Sequence, residues 1–289
     1  MTARHLSIAI VAALLALTPA APAEYMDLIH DLQPISLWRL GEASGTTAAD
    51  QVGGVNGTYH GGQQGYPGAV ANDPDTSVWF RPNNYVEIPH ADSYRLDSGT
   101  VQLWYRDTGT IREQGLFSKD SCGFDTGGHL TIRTTTGGVE ARLQSATQSH
   151  WVYGDPYKLN CWYLVTFTFG DGGMKLYIDD ELVDTDEYTG GLAATSGGDG
   201  NFEPIVLGAN AHRSGDRCAT PLDQYLSGAL DDVAVYDYAL TRDQIAQVYR
   251  VATGDETYIP EPASAGILLI GGVAALCRRR RTRFPAGRG

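Results

Sequence analysis

Hydrophobic and polar residues alternate with a period of two along most of the chain, and this pattern predicts β-strands. In TVQLWYR (100–106), Val101 and Leu103 fall on one face, while Gln102 and Trp104 fall on the other. The pattern also predicts strands at SLWRL (36–40), SVWF (77–80), YVEI (85–88), HLTIR (129–133), VEARLQ (139–144), WYLVTFTF (162–169), MKLYID (174–179), ELVDT (181–185), PIVLG (204–208) and ALDDVAVY (229–236). Roughly ten to twelve strands separated by turn residues indicate two packed antiparallel sheets.

Two glycine-containing segments predict hairpins between successive strands. TTTGG (134–138) joins one pair, and GDGG (170–173) joins another. Glycine accepts the positive φ angles that a tight reversal needs. In the strand after the first turn, Glu140 and Arg142 share the face opposite to Ala141, so a polar face and an apolar face are predicted there.

One helix is predicted near the end of this region. Thr241 and Gln244 have the spacing of a capping box, and Leu240 with Ile245 forms the matching hydrophobic staple. Gly254 follows as a C-terminal stop signal. We therefore expect a short helix that packs on the sandwich and completes a domain spanning residues 24–253.

The first 23 residues have the order of a secretory leader. Arg4 and His5 precede an apolar run at 6–17, and Ala21-Pro22-Ala23 supplies the small residues that a signal peptidase reads. The pattern predicts cleavage after Ala23 and export. The alternative is a first helix buried in the domain.

The other end of the chain combines a proline motif, a short apolar run and a basic cluster. Residues 254–262 form a linker, and the apolar run covers 263–277. The motif residues are Pro260, Glu261 and Pro262, and the basic cluster at the start of the tail 278–289 is Arg278, Arg279, Arg280 and Arg281. As a helix the apolar run is about 22 Å long, which is short for a membrane span, and the arginines favour the cytoplasmic face. The segment is predicted to be a sorting signal that crosses the inner membrane transiently. A permanent anchor and a buried core helix are the alternatives.

The charge of the predicted domain narrows the choice of partners. The whole chain has a formal net charge of −13, but residues 24–258 contain 14 Lys and Arg against 33 Asp and Glu, a net charge of −19. Such a surface repels nucleic acid and anionic membranes and attracts divalent cations. Nucleic-acid binding is therefore not expected.

The cysteines suit an oxidising compartment. Cys122, Cys161 and Cys218 lie in the predicted domain, and Cys277 lies in the tail. Their spacing does not resemble a zinc site. At most one disulfide forms among the three domain cysteines, and the sequence does not choose among the three pairings.

Several segments, taken in order, resemble laminin-G-like domains of the concanavalin A-like superfamily. They include LWRLGEASGTTAAD (37–50), NYVEIPHADSYRL (84–96), GTVQLWYR (99–106), GLFSKD (115–120), CWYLVTFTFGDGGMKLYIDDELV (161–183) and LSGALDDVAVYDYALTRDQIAQVY (226–249). The resemblance implies a jelly-roll β-sandwich that serves as a binding module for glycans or protein surfaces.

The tail resembles a PEP-CTERM sorting signal, which implies a bacterial protein processed by an exosortase-type protease.

Related folds include glucanases, so catalysis has to be considered. Retaining glycoside hydrolysis needs two carboxylates about 5 Å apart. The chain lacks the Glu-x-Asp-x-Glu run that this chemistry uses in the resembling enzymes, and strict alternation sends the neighbouring Asp231 and Asp232 to opposite faces. We predict a protein without catalytic residues, with a glycan hydrolase as an alternative.

Two kinds of binding site are expected in such a domain. Glu42 and Asp50 flank the loop after the first strand, and the resemblance implies that the strand carrying Asp231 returns beside it. These three carboxylates are candidate ligands of a structural calcium ion, since calcium prefers oxygen ligands from loops.

Exposed aromatic side chains stack on sugar rings. The candidates are Trp104, Trp151, Tyr153 and Tyr157, the last three in the loop-like HWVYGDPY.

Together these features predict an exported binding protein that acts at the bacterial cell surface or in the extracellular matrix. Its expected ligand is an extracellular polysaccharide or a surface protein. Signal peptidase and an exosortase-type protease are its expected processing partners. A structural matrix component without a specific ligand remains open as an alternative.

Overall fold

The computed structural model describes residues 21–108, 113–120, 127–136, 138–154, 158–211 and 222–257. These residues form two antiparallel sheets and two α-helices. The strands are β1 Ser36–Trp38, β2 Thr47–Ala48, β3 Gly57–His60, β4 Gln63–Pro67, β5 Thr76–Phe80, β6 Tyr85–Ile88, β7 Gly99–Asp107, β8 Gln114–Lys119, β9 His129–Thr135, β10 Gly138–Gln144, β11 Ser149–Tyr153, β12 Trp162–Phe169, β13 Met174–Ile178, β14 Glu181–Asp186, β15 Ile205–Leu207 and β16 Gly228–Tyr236. The helices are α1 Ala21–Asp31 and α2 Arg242–Thr253.

The strands divide into two eight-stranded sheets. Sheet A has the order β14-β13-β12-β7-β16-β5-β4, with β1 paired to β16, and sheet B has the order β11-β10-β9-β8-β15-β6-β3-β2. The predicted all-β fold, a concanavalin A-like jelly roll, is confirmed. The strands outnumber the expected ten to twelve because short strands such as β2 and β3 carry too few residues to show an alternating pattern.

The main core fills the space between the sheets. Val101, Leu103 and Tyr105 of β7 are buried there, as are Val139 and Ala141 of β10. Alternation placed Val101 and Leu103 on one face and Ala141 on the apolar face of its strand, and these faces are the inner ones. Only one face of each strand packs against the other sheet. Alternate side chains along a strand are therefore the ones that become buried.

A second apolar cluster lies on the outer face of sheet A, beneath both helices. α1 contributes Tyr25, Leu28 and Ile29, and α2 contributes Ile245 and Val248. The spacing of these residues places them on one side of each helix. The predicted C-terminal helix is confirmed, including its capping box and the left-handed C-cap. The outer face of sheet A is therefore largely covered, whereas the outer face of sheet B carries no such helical layer among the described residues.

Candidate ligand-binding surface

The outer face of sheet B is polar where strands β8 to β11 lie side by side. Leu130, Ile132, Val139 and Ala141 point into the core, so the residues between them point outward. The outward residues on β9, β10 and β11 are His129, Thr131, Arg133, Glu140, Arg142, Gln144, Ser149, Trp151 and Tyr153. We call this set the polar surface.

Asp120 is the hub of a buried polar group at one end of this surface. Thr131 Oγ1 donates a hydrogen bond of 3.0 Å to Asp120 Oδ2, and the guanidinium of Arg142 donates to the same oxygen. His129 Nδ1 lies 3.2 Å from Asp120 Oδ1. The side chains of Asp120, His129 and Arg142 are 0%, 1% and 7% exposed. A carboxylate this deeply buried is stable only with such partners, so the hub fixes how Arg142 is placed.

Arg142 and a second arginine flank an aromatic side chain. The guanidinium carbons of Arg133 and Arg142 lie 5.4 and 5.5 Å from the ring centroid of Trp151. These are cation–π distances, and they hold the indole in a defined position. Arg133 Nε also forms an ion pair of 2.6 Å with Glu140, which lies directly opposite on the neighbouring strand.

Tyr153 continues the aromatic surface. Its ring centroid lies 6.3 Å from that of Trp151 with an angle of 13° between the planes, and its side chain is 56% exposed. Asp184 Oδ2 accepts a hydrogen bond of 2.8 Å from the Tyr153 backbone N–H and ties β11 to β14. Two nearly parallel rings at this spacing form a platform on which a flat ligand face can stack.

Amide and hydroxyl groups extend the polar surface towards the middle of the sheet. Ser118 Oγ lies 3.2 Å from Asn210 Oδ1, and Asn210 Nδ2 donates to Gln224 Oε1 over 2.8 Å. Gln224 Nε2 donates in turn to Glu113 Oε2 over 2.9 Å, and Arg133 Nη1 reaches Gln224 Oε1 at 3.4 Å. Ser118 and Asn210 are buried, so the polar groups of this hydrogen-bonded series that adjoin the aromatic platform with partial exposure are those of Arg133 and Gln224.

The structure brings together only some of the aromatic residues that the sequence suggested. Trp151 and Tyr153 lie side by side, but in strand β11 rather than in the predicted loop. Trp104 is 1% exposed, and its ring packs 6.1 Å from that of Tyr249 beneath the helices. Its prediction as a surface residue was wrong because α2 covers its face of sheet A. Tyr157 lies outside the described residues.

Three residues of this site were not proposed from the sequence, namely Asp120, Arg133 and Gln224. Arg142 and Glu140 were correctly assigned to a polar face, but their partners are set by strand order. Asp120 and Arg142 are 22 residues apart. The pairing of Glu140 with Arg133 across the β9–β10 hairpin was the one signal available, since a turn at 134–138 implies that register.

The candidate calcium ligands occupy two separate places. Asp50 Oδ1 accepts hydrogen bonds from the backbone of Leu37, Val52 and Gly53, and its Oδ2 accepts one from Val55. Glu42 accepts from the Ala49 N–H and the Tyr59 hydroxyl. Both carboxylates thus fasten the loop after β1 to its surroundings.

Asp231 instead belongs to a buried cluster around Arg39. Asp231 Oδ2 accepts a hydrogen bond of 2.7 Å from Ala69 N, and the guanidinium of Arg39 lies 2.8 Å from Asp232 and from Asp73. Asp75 lies 2.9 Å from the same guanidinium.

A β-bulge explains how two adjacent aspartates enter one cluster. The register of β16 shifts after Asp231, and Asp232 has a positive φ of 44°. The expectation that their side chains point to opposite faces was therefore wrong, because a bulge breaks the period of two. Burial raises the pKa of Asp232 to about 6, and burial followed by the Asp232 charge raises the pKa of Asp231.

Glu42, Asp50 and Asp231 do not form a shared metal site. Within the described ranges, no three His, Cys, Asp or Glu side chains are grouped so that they could hold a metal ion. The oxygens of Glu42 and Asp50 are used by hydrogen bonds within the protein. Calcium binding by this chain stays a prediction.

The remaining predicted residues concern disulfides and processing. Cys161 is disulfide-bonded, while Cys122 and Cys218 lie outside the described residues. The residues Pro260, Glu261, Pro262, Arg278, Arg279, Arg280 and Arg281 also lie outside the described residues. Ala23, after which cleavage is predicted, lies within α1, which begins at Ala21. In the described part of the chain, no helix is both long and apolar enough to span a membrane.

Sequence comparison supports the architecture of two facing sheets. Residues 80–246, more than half of the chain, match a laminin G-like family of the concanavalin A-like lectin/glucanases superfamily. The chain belongs to this superfamily. No curated protein matches the sequence. The matched range runs from the end of β5 to the first turn of α2 and includes the whole polar surface.

Several solved structures are similar in fold at low sequence identity. The binding domain of botulinum neurotoxin serotype D is 14% identical with a TM-score of 0.54, over 76% of this chain and 51% of that one. Domain 4 of AbnA, an extracellular arabinanase from Geobacillus stearothermophilus determined with arabinotriose, is 17% identical with a TM-score of 0.52, over 75% and 98%. The binding domain of botulinum neurotoxin DC with SialylT is 15% identical with a TM-score of 0.52, over 77% and 52%. The chain thus spans about half the length of these toxin domains, and the likeness shows the fold.

Proposed function

We propose that this protein is an exported, non-catalytic binding protein for an extracellular glycan, and that the polar surface of sheet B is its binding site. The observation that carries the proposal is the ring pair of Trp151 and Tyr153. Arg133 and Arg142 hold the first ring in place, and the second is 56% exposed. A sugar ring has apolar C–H faces that stack on such a platform and hydroxyls that the surrounding polar side chains can bind.

The charges on the polar surface favour a neutral, hydroxyl-rich sugar. Arg133 is paired with Glu140, and Arg142 contacts Asp120. Both guanidinium groups are thus engaged with carboxylates, and the domain as a whole is acidic. An anionic polymer would have to displace these pairs and overcome long-range repulsion. The arabinotriose seen with domain 4 of AbnA is consistent with a neutral ligand on a similar fold.

A glycan screen with the full chain tests the proposal. We expect saturable binding of at least one neutral polysaccharide, and we expect Trp151→Ala to weaken it by about tenfold or more, since interface tryptophans commonly contribute this much. Phe202→Ala is the matched control, because Phe202 is also an exposed aromatic residue, at 52%, but lies against Arg95 and His90. The screen is run with and without a chelator, which also tests the calcium prediction.

Three results would count against this proposal. Absence of any saturable glycan binding would favour a structural matrix component or a protein ligand. Equal affinity of the wild type and Trp151→Ala, with thermal unfolding unchanged, would move the site away from the polar surface. Release of shorter saccharides during the screen would show that the protein is catalytic.

We also propose that the leader and the sorting tail deliver the domain to the cell surface. The supporting features are the sequence patterns at residues 1–23 and 260–281. The intact mass of the protein recovered from its host is expected to match a chain cut after Ala23 and near Pro260-Glu261-Pro262. A recovered mass that includes Arg278 to Arg281 would instead support a permanent anchor.

A further inference from the structure

A row of side chains on the outer face of sheet A lies beside the region that the helices cover. Strand register places Gln63, Trp79, Ala229, Arg106 and Trp162 next to one another on β4, β5, β16, β7 and β12. Arg106 follows the buried Trp104 by two residues, so both occupy the same face. Unlike Trp104, the side chains of Trp79, Arg106 and Trp162 are partly exposed. The row is therefore part of the surface of the protein, on the side opposite to the polar surface.

The ring of Tyr66, which follows Gln63 by three residues on β4, lies beside this row and contacts two of its members. The ring centroids of Tyr66 and Trp79 are 4.8 Å apart, with 49° between the planes. The guanidinium carbon of Arg106 lies 5.7 Å from the Tyr66 centroid. Ala229 separates Trp79 from Arg106 in the row, and its side chain is a single methyl group. Ala229 is itself fully buried, so the accessible part of this region is formed by the partly exposed side chains of Tyr66, Trp79 and Arg106.

Arg106 differs from the arginines of the polar surface because no carboxylate of the described residues pairs with it. Arg133 is paired with Glu140, and Arg142 contacts Asp120. In the part of the chain that the structure describes, Arg106 forms no ion pair, and its Nε is buried without a hydrogen-bond partner. Because Nε is buried while the side chain as a whole is partly exposed, the terminal nitrogens are the part of the guanidinium that a ligand oxygen can reach.

We propose that Tyr66, Trp79 and Arg106 form a second ligand site, which binds a sugar carrying a carboxylate group, such as a uronic acid residue. A guanidinium donates two parallel hydrogen bonds to a carboxylate, and aromatic rings stack on the C–H face of the same sugar. The acidic domain repels densely charged polymers at long range. The site therefore suits an isolated acidic residue within a mainly neutral glycan. It lies on the other sheet and does not depend on the proposed function of the polar surface.

Calorimetric titration of the full chain with methyl glucuronide and methyl glucoside tests this site. The two probes differ only in the carboxylate. We expect the glucuronide to bind at least about tenfold more tightly, as charge-assisted hydrogen bonds commonly provide. Arg106→Gln should abolish the preference, and Trp79→Ala should weaken the binding of both sugars. Phe202→Ala should leave the preference unchanged, because Phe202 is an exposed aromatic residue that lies against Arg95 and His90 and belongs to neither proposed site.

Equal affinities for the two sugars would overturn the proposal, as would a preference that survives in Arg106→Gln. If Arg106→Gln unfolds at a lower temperature than the wild type, Arg106→Lys provides the second variant. Lysine keeps the positive charge but cannot form two parallel bonds, so the preference should fall several-fold while the fold is retained. An unchanged preference in Arg106→Lys would show that the paired geometry has no role and would also contradict the proposal.

Discussion

Arg39→Met is expected to lower the free energy of unfolding at pH 8 by about 3–5 kcal/mol, as removal of one partner from a buried ion pair commonly does. Arg39 is the shared counter-ion of Asp73, Asp75 and Asp232, whose side chains are 4%, 23% and 0% exposed. Without the guanidinium, the carboxylates repel one another in a region where water does not screen them. Urea unfolding followed by tryptophan fluorescence measures the loss.

The effect of Arg39→Met should depend on pH in a definite direction. Burial raises the pKa of Asp232 from 3.8 to about 6, so the stability that this group contributes is present below about pH 4 and is lost as the pH rises through 6. Removing Arg39 raises this pKa further. The difference between wild type and variant should therefore be smaller at pH 5, where the carboxylates take up protons, than at pH 8.

Two further variants make the Arg39 prediction specific. Arg250→Met is the control, because Arg250 is half exposed and only 3.5 Å from Glu256, and such surface pairs contribute about 0–1 kcal/mol. Adding Asp232→Asn to Arg39→Met should restore part of the lost stability. A loss that is the same at pH 5 and pH 8, with no restoration, would mean that packing of the arginine chain rather than charge is responsible.

Asp120→Ala is expected to cost a similar amount, about 3–5 kcal/mol, and also to weaken glycan binding. The variant leaves the buried guanidinium of Arg142 without the carboxylate it contacts, and it removes the acceptor of the Thr131 hydroxyl. Because Arg142 lies against Trp151, loss of the hub should also loosen the aromatic platform. Chemical unfolding and glycan titration on the same samples measure both effects.

Asp92→Ala is the matched control for Asp120→Ala, since the Asp92 side chain is 97% exposed. Its free energy of unfolding should stay within about 0.5 kcal/mol of the wild type. Asp120→Asn keeps the shape and one acceptor but not the charge, so it should fall between Asp120→Ala and the wild type. If Asp120→Ala reduced stability but left glycan affinity intact, Arg142 would not be what positions Trp151.

The sequence predicted the sandwich well because each long strand has one buried face. In β7 and β10 the alternation assigned Val101, Leu103 and Ala141 to the core, where the structure places them. The capping box at Thr241 and Gln244 likewise marked the start of α2, since those contacts lie within one turn. Patterns that depend on neighbours in the sequence were therefore reliable.

Elements whose stability comes from distant contacts were missed. Tyr25, Leu28 and Ile29 have the spacing of one helical face, yet α1 was overlooked because its start lies inside the predicted leader. Strand β11 was interpreted as a loop because it is short and followed by glycine and proline. The ring of Trp151 in this strand is held by cation–π contacts with Arg133 of β9 and Arg142 of β10.

The cluster around Arg39 could not be predicted from the sequence for a different reason. Arg39 and Asp232 are 193 residues apart, and a single inserted residue in β16 allows Asp231 and Asp232 to enter one cluster. A bulge changes neither composition nor hydropathy, so alternation alone cannot reveal it. One of these carboxylates, Asp231, was a calcium candidate from the sequence, whereas in the structure its cluster is built around the side chain of Arg39.

The contact between α1 and α2 has a consequence for how the domain can be attached to anything else. The first and last described elements meet on the outer side of sheet A, so a support attached at either of them would lie on that side. A domain held by one end would turn Trp151 and Tyr153 away from its support and leave them open to long polymers. Tyr66, Trp79 and Arg106 would face back towards the support, where only chains lying close to it could reach them.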